Sequence, residues 1–348
     1  MSIIPESIIT LHLQITRKLF PTACVQLLAA QGGCSTTFLV EDDESTKSKP
    51  QSGSQLQSQS RIIQFRHKKF QFNIEVAAAA KAVYHKYAPS VQSLFTSLID
   101  PAGDLLCYEM DVIPGVPYST IMPEHQLLNA VAMERQKRLV QDFADFISQA
   151  WPSQPWLEQK CTGRVGSRIA PKLQILAKEL PSERLRQIAK EALDHIDMLS
   201  RLPTVLNHGD LIASNIMIDQ ETGALTGVVD WAEAEYLPFG MCLCGLEYFL
   251  GARFQRECRD LDVESKKSEF QYYDCDGELR SLFWKRLKER IPALNEDERL
   301  IEAIKHAGLV GTLLWYGFAW DDGAIDRVVN EVDDGDELAI LEAFLSYS

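Results

Sequence analysis

Residues 114–117 read Pro-Gly-Val-Pro, and no other point divides the chain so sharply. Two prolines and a glycine within four residues interrupt helix and strand alike, and the apolar pattern changes across them. Before the break, residues 36–40 and 61–66 have the composition of strands. Residues 73–87 follow with Val76, Ala79, Ala80 and Val83 at helical spacing, and Pro89 ends them. Residues 91–98 and 105–112 are β-like again. After the break the pattern is mostly helical: 133–150 carries apolar residues at 139, 140, 143, 146 and 147, 185–202 is a second amphipathic stretch, and the tail from Leu300 is a third. One passage differs, where the short β-like runs 216–218 and 225–229 flank Glu221-Thr222-Gly223. The expectation is an α+β chain, with a small β-rich part over 1–113 holding one helix and a larger helical part over 114–348.

Between the first two strands lies EDDESTKSKPQSGSQLQSQS, residues 41–60. A segment so polar and rich in Ser and Gln cannot bury enough surface to order itself. It is expected to be the flexible tip of an elongated hairpin, with 43–59 dispensable for folding. The formal net charge of −14 over 348 residues, without a basic run, argues against a general nucleic-acid binder and suits a cationic small partner. No apolar run approaches the ~18 residues of a membrane span. The first twenty residues mix Glu6, His12, Gln14, Arg17 and Lys18 into their apolar positions, unlike a secretory leader. A soluble cytoplasmic protein with no membrane partner is the expectation. The eight cysteines form no CxxC pair and no zinc-like spacing, so they are read as free thiols.

The residues with the most chemical content are Asn207-His208-Gly209-Asp210-Leu211-Ile212-Ala213-Ser214-Asn215, followed by Gly227-Val228-Val229-Asp230-Trp231. An Asp and an Asn five positions apart on one loop can face two ways, the carboxylate toward an acceptor hydroxyl and the amide back toward a cation held by phosphates. A carboxylate delivered at the end of an apolar strand can complete such a Mg²⁺ site, because Mg²⁺ takes few protein ligands and several phosphate or water oxygens.

The His-x-Asp-x-x-x-x-Asn spacing matches the kinase catalytic loop. With the Val228-Val229-Asp230-Trp231 block and the run on to Ala234 and Pro238, the chain resembles the aminoglycoside phosphotransferase and choline kinase superfamily. The resemblance covers nearly the whole chain, is most specific at 207–238, and includes a branch from fungi through the tail WYGFAWDDGAIDRVV at 315–329. It implies a protein-kinase-like two-lobed fold that uses ATP and Mg²⁺ to phosphorylate a small-molecule hydroxyl. Asp210 would be the base, Asn215 and Asp230 the metal ligands. Gly32, Gly33 and Ser35 would lie on the phosphate-facing hairpin, although Gly-Gly also reads as an ordinary turn. Arg66 would stand where related kinases carry the phosphate-gripping lysine, with Glu75 as its helix partner and Lys68 and Lys69 as surface charges. The backbone of the stretch that includes Glu109 and Asp111 would meet the adenine.

Other polar residues have plainer readings: His208 as organiser of the loop, Glu233 and Glu235 as structural or solvated, Asp219 as loop support or turn cap. Asp321 and Asp322 are a minor candidate pair beside a cationic substrate. A second function class, a nucleotide-binding pseudokinase with a regulatory role, is favoured by the missing strand lysine and opposed by the intact Asp210, Asn215 and Asp230. No Asp-Phe-Gly and no Ala-Pro-Glu point to a protein kinase. The acceptor and the oligomeric state are not legible.

Overall fold

Glu6–Leu19 forms a helix, α1, that the sequence reading did not anticipate. It belongs to a computed structural model that describes residues 4–29, 31–42, 60–94, 104–152, 160–256, 267–321 and 324–346. The expected loop at 43–59, the end of the expected strand at 91–98, and Asp322 lie outside the described residues. The chain separates into two compact units, one of residues 1–82 and 88–113, the other of residues 83–87 and 114–348.

The first unit is a five-stranded antiparallel sheet made of β1 (Ala23–Leu27), β2 (Ser35–Asp42), β3 (Ser60–His67), β4 (Val91–Ser93) and β5 (Leu105–Asp111), in the order β1-β2-β3-β5-β4. The α2 helix (Ile74–Tyr84) follows β3. The β2/β3 pairing, with Ser35 opposite Arg66 and Leu39 opposite Ile62, fixes which side chains share a face. Phe38 and Val40 of β2, Ile63 and Phe65 of β3, and Cys107 of β5 form one apolar core with Ile15 of α1. The intervening positions put Thr37, Gln64 and Arg66 on the other face. There Gln64 donates to the Thr37 hydroxyl at 3.0 Å and accepts from Arg66 Nε at 2.7 Å.

His12 is an anomaly in this core. It is 5% exposed, stacks on Phe65 at 4.5 Å between ring centroids, and its Nδ1 has no hydrogen-bond partner among the described residues. Burial pushes its imidazole down to about 4. A folded-state value below the unfolded one gives stability that is present above about 6.5 and lost as pH falls toward 4. His12→Leu is therefore expected to remove roughly 2–3 kcal/mol of acid sensitivity between pH 7 and pH 4. Urea melts of parent and variant at both pH values check this, and parallel pH profiles would refute it.

The second unit contains the helices α3 (Ala130–Ser148), α4 (Gly163–Gly166), α5 (Ile169–Glu179), α6 (Glu183–Asp194), α7 (Cys244–Leu250), α8 (Asp276–Arg290), α9 (Ala293–Glu296), α10 (Glu298–Tyr316) and α11 (Gly335–Phe344). Three small sheets accompany them. The strands β6 (Val116–Pro117), β8 (Ile216–Ile218) and β9 (Leu225–Val228) form one, β7 (Thr204–Asn207) with β10 (Glu235–Pro238) a second, and β11 (Gly251–Arg256) with β12 (Lys267–Tyr272) a third. The β11/β12 hairpin interrupts a region expected to be helical. The expected helix at 185–202 also divides. Ser182 caps α6 by accepting from the Leu185 N–H at 3.2 Å, and the chain leaves α-helical geometry at His195 and continues as 3-10 turns over Ile196–Arg201.

Phe143 of α3 is fully buried and meets Phe249 of α7 at 5.0 Å and Phe283 of α8 at 5.9 Å. The α3–α8 contact is also clamped electrostatically. Arg286 and Arg290 each grip Asp145 with two hydrogen bonds of 2.7–2.9 Å. Burial acts to raise the Asp145 carboxyl, but the two guanidinium groups outweigh it and hold the group at about 2.

Candidate active site

The residues of the candidate loop at 207–215 are fixed from both sides. Asn207, at the end of β7, is buried; its amide donates to the Val205 and Leu237 carbonyls and accepts from the Cys242 N–H. His208 follows, 1% exposed, with Nδ1 accepting from the Asp210 N–H at 3.2 Å and Nε2 2.9 Å from the Val229 carbonyl. One neutral tautomer, protonated on Nε2, satisfies both contacts. Burial pushes this imidazole down to about 4, so it is uncharged near neutrality. His208 thus ties the start of the loop to the residue preceding Asp230. Gly209 between them has φ +80°, and a Cβ there would run into the Glu233 carbonyl, so the loop reverses at a point only glycine fits.

Asn215 links the two chemical residues of the loop. Its amide donates to the Asp210 carbonyl at 3.0 Å and to Asp210 Oδ2 at 2.9 Å, and its own carbonyl accepts from the Val229 N–H at 2.9 Å. The β8/β9 pairing, Ile216 opposite Val228, brings Asp230 back beside the loop. Asp230 sits in the left-handed region, at φ 63° and ψ 67°, a conformation that costs a non-glycine residue free energy and that Asp tolerates better than most. Trp231 anchors the turn. Its indole donates to the Val228 carbonyl at 2.9 Å, and its ring packs on His208 at 4.6 Å and Tyr84 at 4.9 Å.

Burial, and then the charge of Asp230, push the Asp210 carboxyl up to about 7 against the opposing Asn215 hydrogen bond. A carboxylate poised near neutrality suits a proton acceptor. Among the described residues no three His, Cys, Asp or Glu side chains gather as a metal site. The donors available are the Asp230 carboxylate and the Asn215 amide oxygen. This oxygen-only, incomplete set fits Mg²⁺ whose remaining ligands are phosphate oxygens and water.

The neighbouring acids have other partners. Asp219 Oδ1 accepts from the N–H and hydroxyl of Thr222 at 2.7 Å, a turn cap between β8 and β9. Glu235 accepts from the backbone N–H groups of Arg164, Val165 and Gly166, so it holds α4 in place. Gly163, at φ +96°, lies so close to Glu235 that a Cβ would collide with its side chain. Asp321 is bound by Arg327, which also grips Asp334. Its charge is already balanced, which weakens its reading as a substrate contact.

The other sequence candidates lie in the first unit. Gly32 and Gly33 stand in the turn from β1 to β2, and Ser35 is buried at the start of β2. Neither glycine has a left-handed φ. The Gln31 side chain braces this turn through Leu28 and Thr37. Arg66 is 3% exposed, whereas Lys68 and Lys69 are exposed. Its guanidinium lies 4.1 Å over the Phe72 ring and bonds Gln64 and the Phe70 carbonyl. Glu75 is exposed on the first turn of α2, its N–H accepted by Asn73 Oδ1. Glu109 lies between β3 and β4, opposite Ile63 and Gln92. The Asp111 N–H donates to the Ser90 carbonyl, and its carboxylate accepts from Lys81 Nζ and the Ser90 N–H. The backbone at these two positions is thus engaged within the sheet.

Sequence reasoning missed the roles of Asn207, Gly209 and Trp231 in fixing the loop. It also missed the half-buried Tyr248 and the buried Tyr316, whose hydroxyls are 2.7 Å apart. Burial dominates the upward shift of Tyr248 to about 12, and the Asp210 charge contributes.

A loop of this geometry followed by a strand-borne aspartate is the arrangement expected of a kinase-like fold. Residues 77–241 match the family model described as the phosphotransferase enzyme family, and the resemblance read at 207–238 is borne out. Over those residues the chain is similar to phosphotransferase enzymes. An ethanolamine kinase of Plasmodium vivax is 13% identical, with 98% of this chain and 84% of that one covered and a TM-score of 0.50. An aminoglycoside phosphotransferase of Streptomyces rimosus is 15% identical, with coverages of 87% and 98% and a TM-score of 0.43. A choline kinase of Streptococcus pneumoniae is 12% identical, with coverages of 87% and 99% and a TM-score of 0.38. At these identities the likeness is one of fold, and the ethanolamine kinase carries it. A comparison with curated proteins found no match.

Proposed function

We propose that the protein transfers the γ-phosphoryl group of ATP to a hydroxyl of a small molecule, with Asp210 as the base. The carrying observation is the Asp210 carboxyl, raised to about 7 and held at Oδ2 by Asn215 at 2.9 Å. Asp210 takes the hydroxyl proton as the acceptor oxygen forms its bond to the γ-phosphorus, and the bond to the bridging oxygen breaks to release ADP. Asn215 orients that carboxylate through its amide nitrogen and offers its oxygen, with Asp230, to Mg²⁺. The metal, when bound, neutralises charge on the phosphates. His208 and Trp231 hold the two strands of this loop in register. The turn at Gly32, Gly33 and Ser35 faces the phosphates in this reading, and the chain after β5 meets the base.

The net charge of −14 favours an acceptor that carries an amine. Calorimetric titration with Mg²⁺·ATP, followed by a screen of amine-bearing alcohols and amino sugars with labelled ATP, tests the proposal. Saturable Mg²⁺-dependent binding and a new phosphorylated species are expected. Absence of Mg²⁺-dependent nucleotide binding would sink it.

Arg66 is the residue on which the pseudokinase reading has purchase, because its bonds to Gln64 and Phe70 and its packing on Phe72 suffice for a purely structural role. As a phosphate clamp it also has to bind nucleotide. Arg66→Ala is expected to weaken Mg²⁺·ATP binding by about tenfold or more, and Arg66→Lys to recover part of the loss without the bidentate fork. A variant that loses melting temperature but keeps parental affinity would assign Arg66 to structure alone.

A further inference from the structure

The second unit contains a groove of about 1050 Å³ lined by neither Asp210, Asn215 nor Asp230. It runs between α8 and α10, with α7 as its floor and Phe344 of α11 at its margin. Leu243 and Leu246 line the floor, and Trp284 and Leu309 the walls. An opening of this size and character accepts a drug-sized apolar body.

Its charge is not that of the chain as a whole. Lys285, Lys288 and Lys305 line it, and among the described residues none of the three has an ion-pair partner; Lys305 lies 5.6 Å from the Trp284 ring centroid. Of the lining acids, Glu247 is neutralised by a two-pronged Arg280 contact at 2.7 and 2.9 Å and by the Tyr272 hydroxyl at 2.8 Å. Glu302 is left against three ammonium groups, so the lining is net positive on a chain of net charge −14. His306 also lines the groove, and its buried Nε2 has no hydrogen-bond partner among the described residues. Burial pushes that imidazole down, which leaves the lysines as the charged partners.

We propose that this groove binds an amphipathic organic anion, with its apolar body against Leu246, Trp284 and Leu309 and its acidic group at Lys285 and Lys305. Charge complementarity and an apolar floor together choose this occupant over a neutral lipid or a cationic acceptor. The floor has a second contact. A Cβ on Gly245 would press on Leu211 of the catalytic loop, so the helix under the bound anion also packs against the residue after Asp210.

The probe is 1-anilinonaphthalene-8-sulfonate, titrated into the full chain with Mg²⁺·ATP at saturation and again with no nucleotide, followed by fluorescence and by energy transfer from Trp284. One saturable site is expected in both conditions. Lys285→Glu with Lys305→Glu is expected to weaken it by about tenfold or more, equivalent to ~1.4 kcal/mol, without a change in melting temperature. Leu309→Trp, which fills the groove, is expected to abolish it. Decanoate is expected to displace the probe at lower concentration than decanol. The proposal is overturned by unchanged affinity in the folded lysine double variant, by equal displacement with decanol, or by no saturable site. It is equally overturned if light scattering shows a dimer that the same variants dissociate, since the groove then seats a second copy.

Discussion

Asp210→Asn is expected to lower the turnover of phosphoryl transfer by roughly 10²–10⁴, the usual contribution of a positioned acid–base group, while Mg²⁺·ATP still binds. Asn has nearly the same shape and keeps a side-chain oxygen in reach of the Asn215 amide, which sits 2.9 Å from Oδ2 in the parent. The same substitution has a second, independent readout. The folded-state value of the Asp210 carboxyl, about 7, lies above the usual carboxylate range, because burial and the Asp230 charge disfavour ionisation. The folded state therefore binds the extra proton between about pH 4 and 7, and stability falls as pH rises through that window. Asn cannot ionise. Without metal, the variant should match the parent near pH 4 and exceed it by about 2–4 kcal/mol at pH 8. His208, at about 4, acts with the opposite sign, since its contribution is lost as pH falls from 6.5. It is present in both proteins, so the difference between them isolates Asp210. Denaturant melts in chelator across pH 4–8 give this curve. A flat difference together with parental turnover would remove Asp210 from the chemistry.

The parts of the molecule that were legible in the sequence depend on contacts close along the chain. The Asp210–Asn215 spacing sits within one loop, and the strand that returns Asp230 is the next element but one, so spacing alone pointed to the cluster. The strands around Phe38, Val40, Ile63 and Phe65 were legible because adjacent positions face opposite sides of a sheet. What failed depends on distant partners or weak local signals. α1 has Pro5 before its first turn and no side-chain cap, and its buried stripe of His12, Ile15 and Thr16 is not obviously apolar. The Glu235 contact with 164–166 spans about seventy residues, which no local pattern carries. The packing of the Arg66 guanidinium on Phe72, after the short 3-10 turn Lys68–Phe70, was likewise not legible.

Asp230 should fail differently from Asp210, and substitution can separate its backbone role from its carboxylate. At φ 63° the residue is strained for anything but glycine, and Asn and Asp bear the strain best. Asp230→Gly is expected to keep the fold, whereas Asp230→Ala is expected to cost about 1–2 kcal/mol of stability from the backbone alone. All replacements remove the anionic ligand. Both variants should therefore lose Mg²⁺-dependent nucleotide affinity, and turnover should drop by about 10³ or more, as expected when several kcal/mol of metal-assisted charge stabilisation are withdrawn. Asp230→Asn retains an oxygen donor without the charge and should fall between parent and Asp230→Gly. A further consequence reaches across the loop. The Asp230 charge is one cause of the raised Asp210 carboxyl, so its removal should lower the Asp210 titration in metal-free protein, which carbon-detected NMR of the carboxyl can follow. If Asp230→Gly binds Mg²⁺·ATP like the parent and leaves the Asp210 titration in place, Asp230 is neither metal ligand nor electrostatic partner, and the turn formed with Trp231 is all it provides.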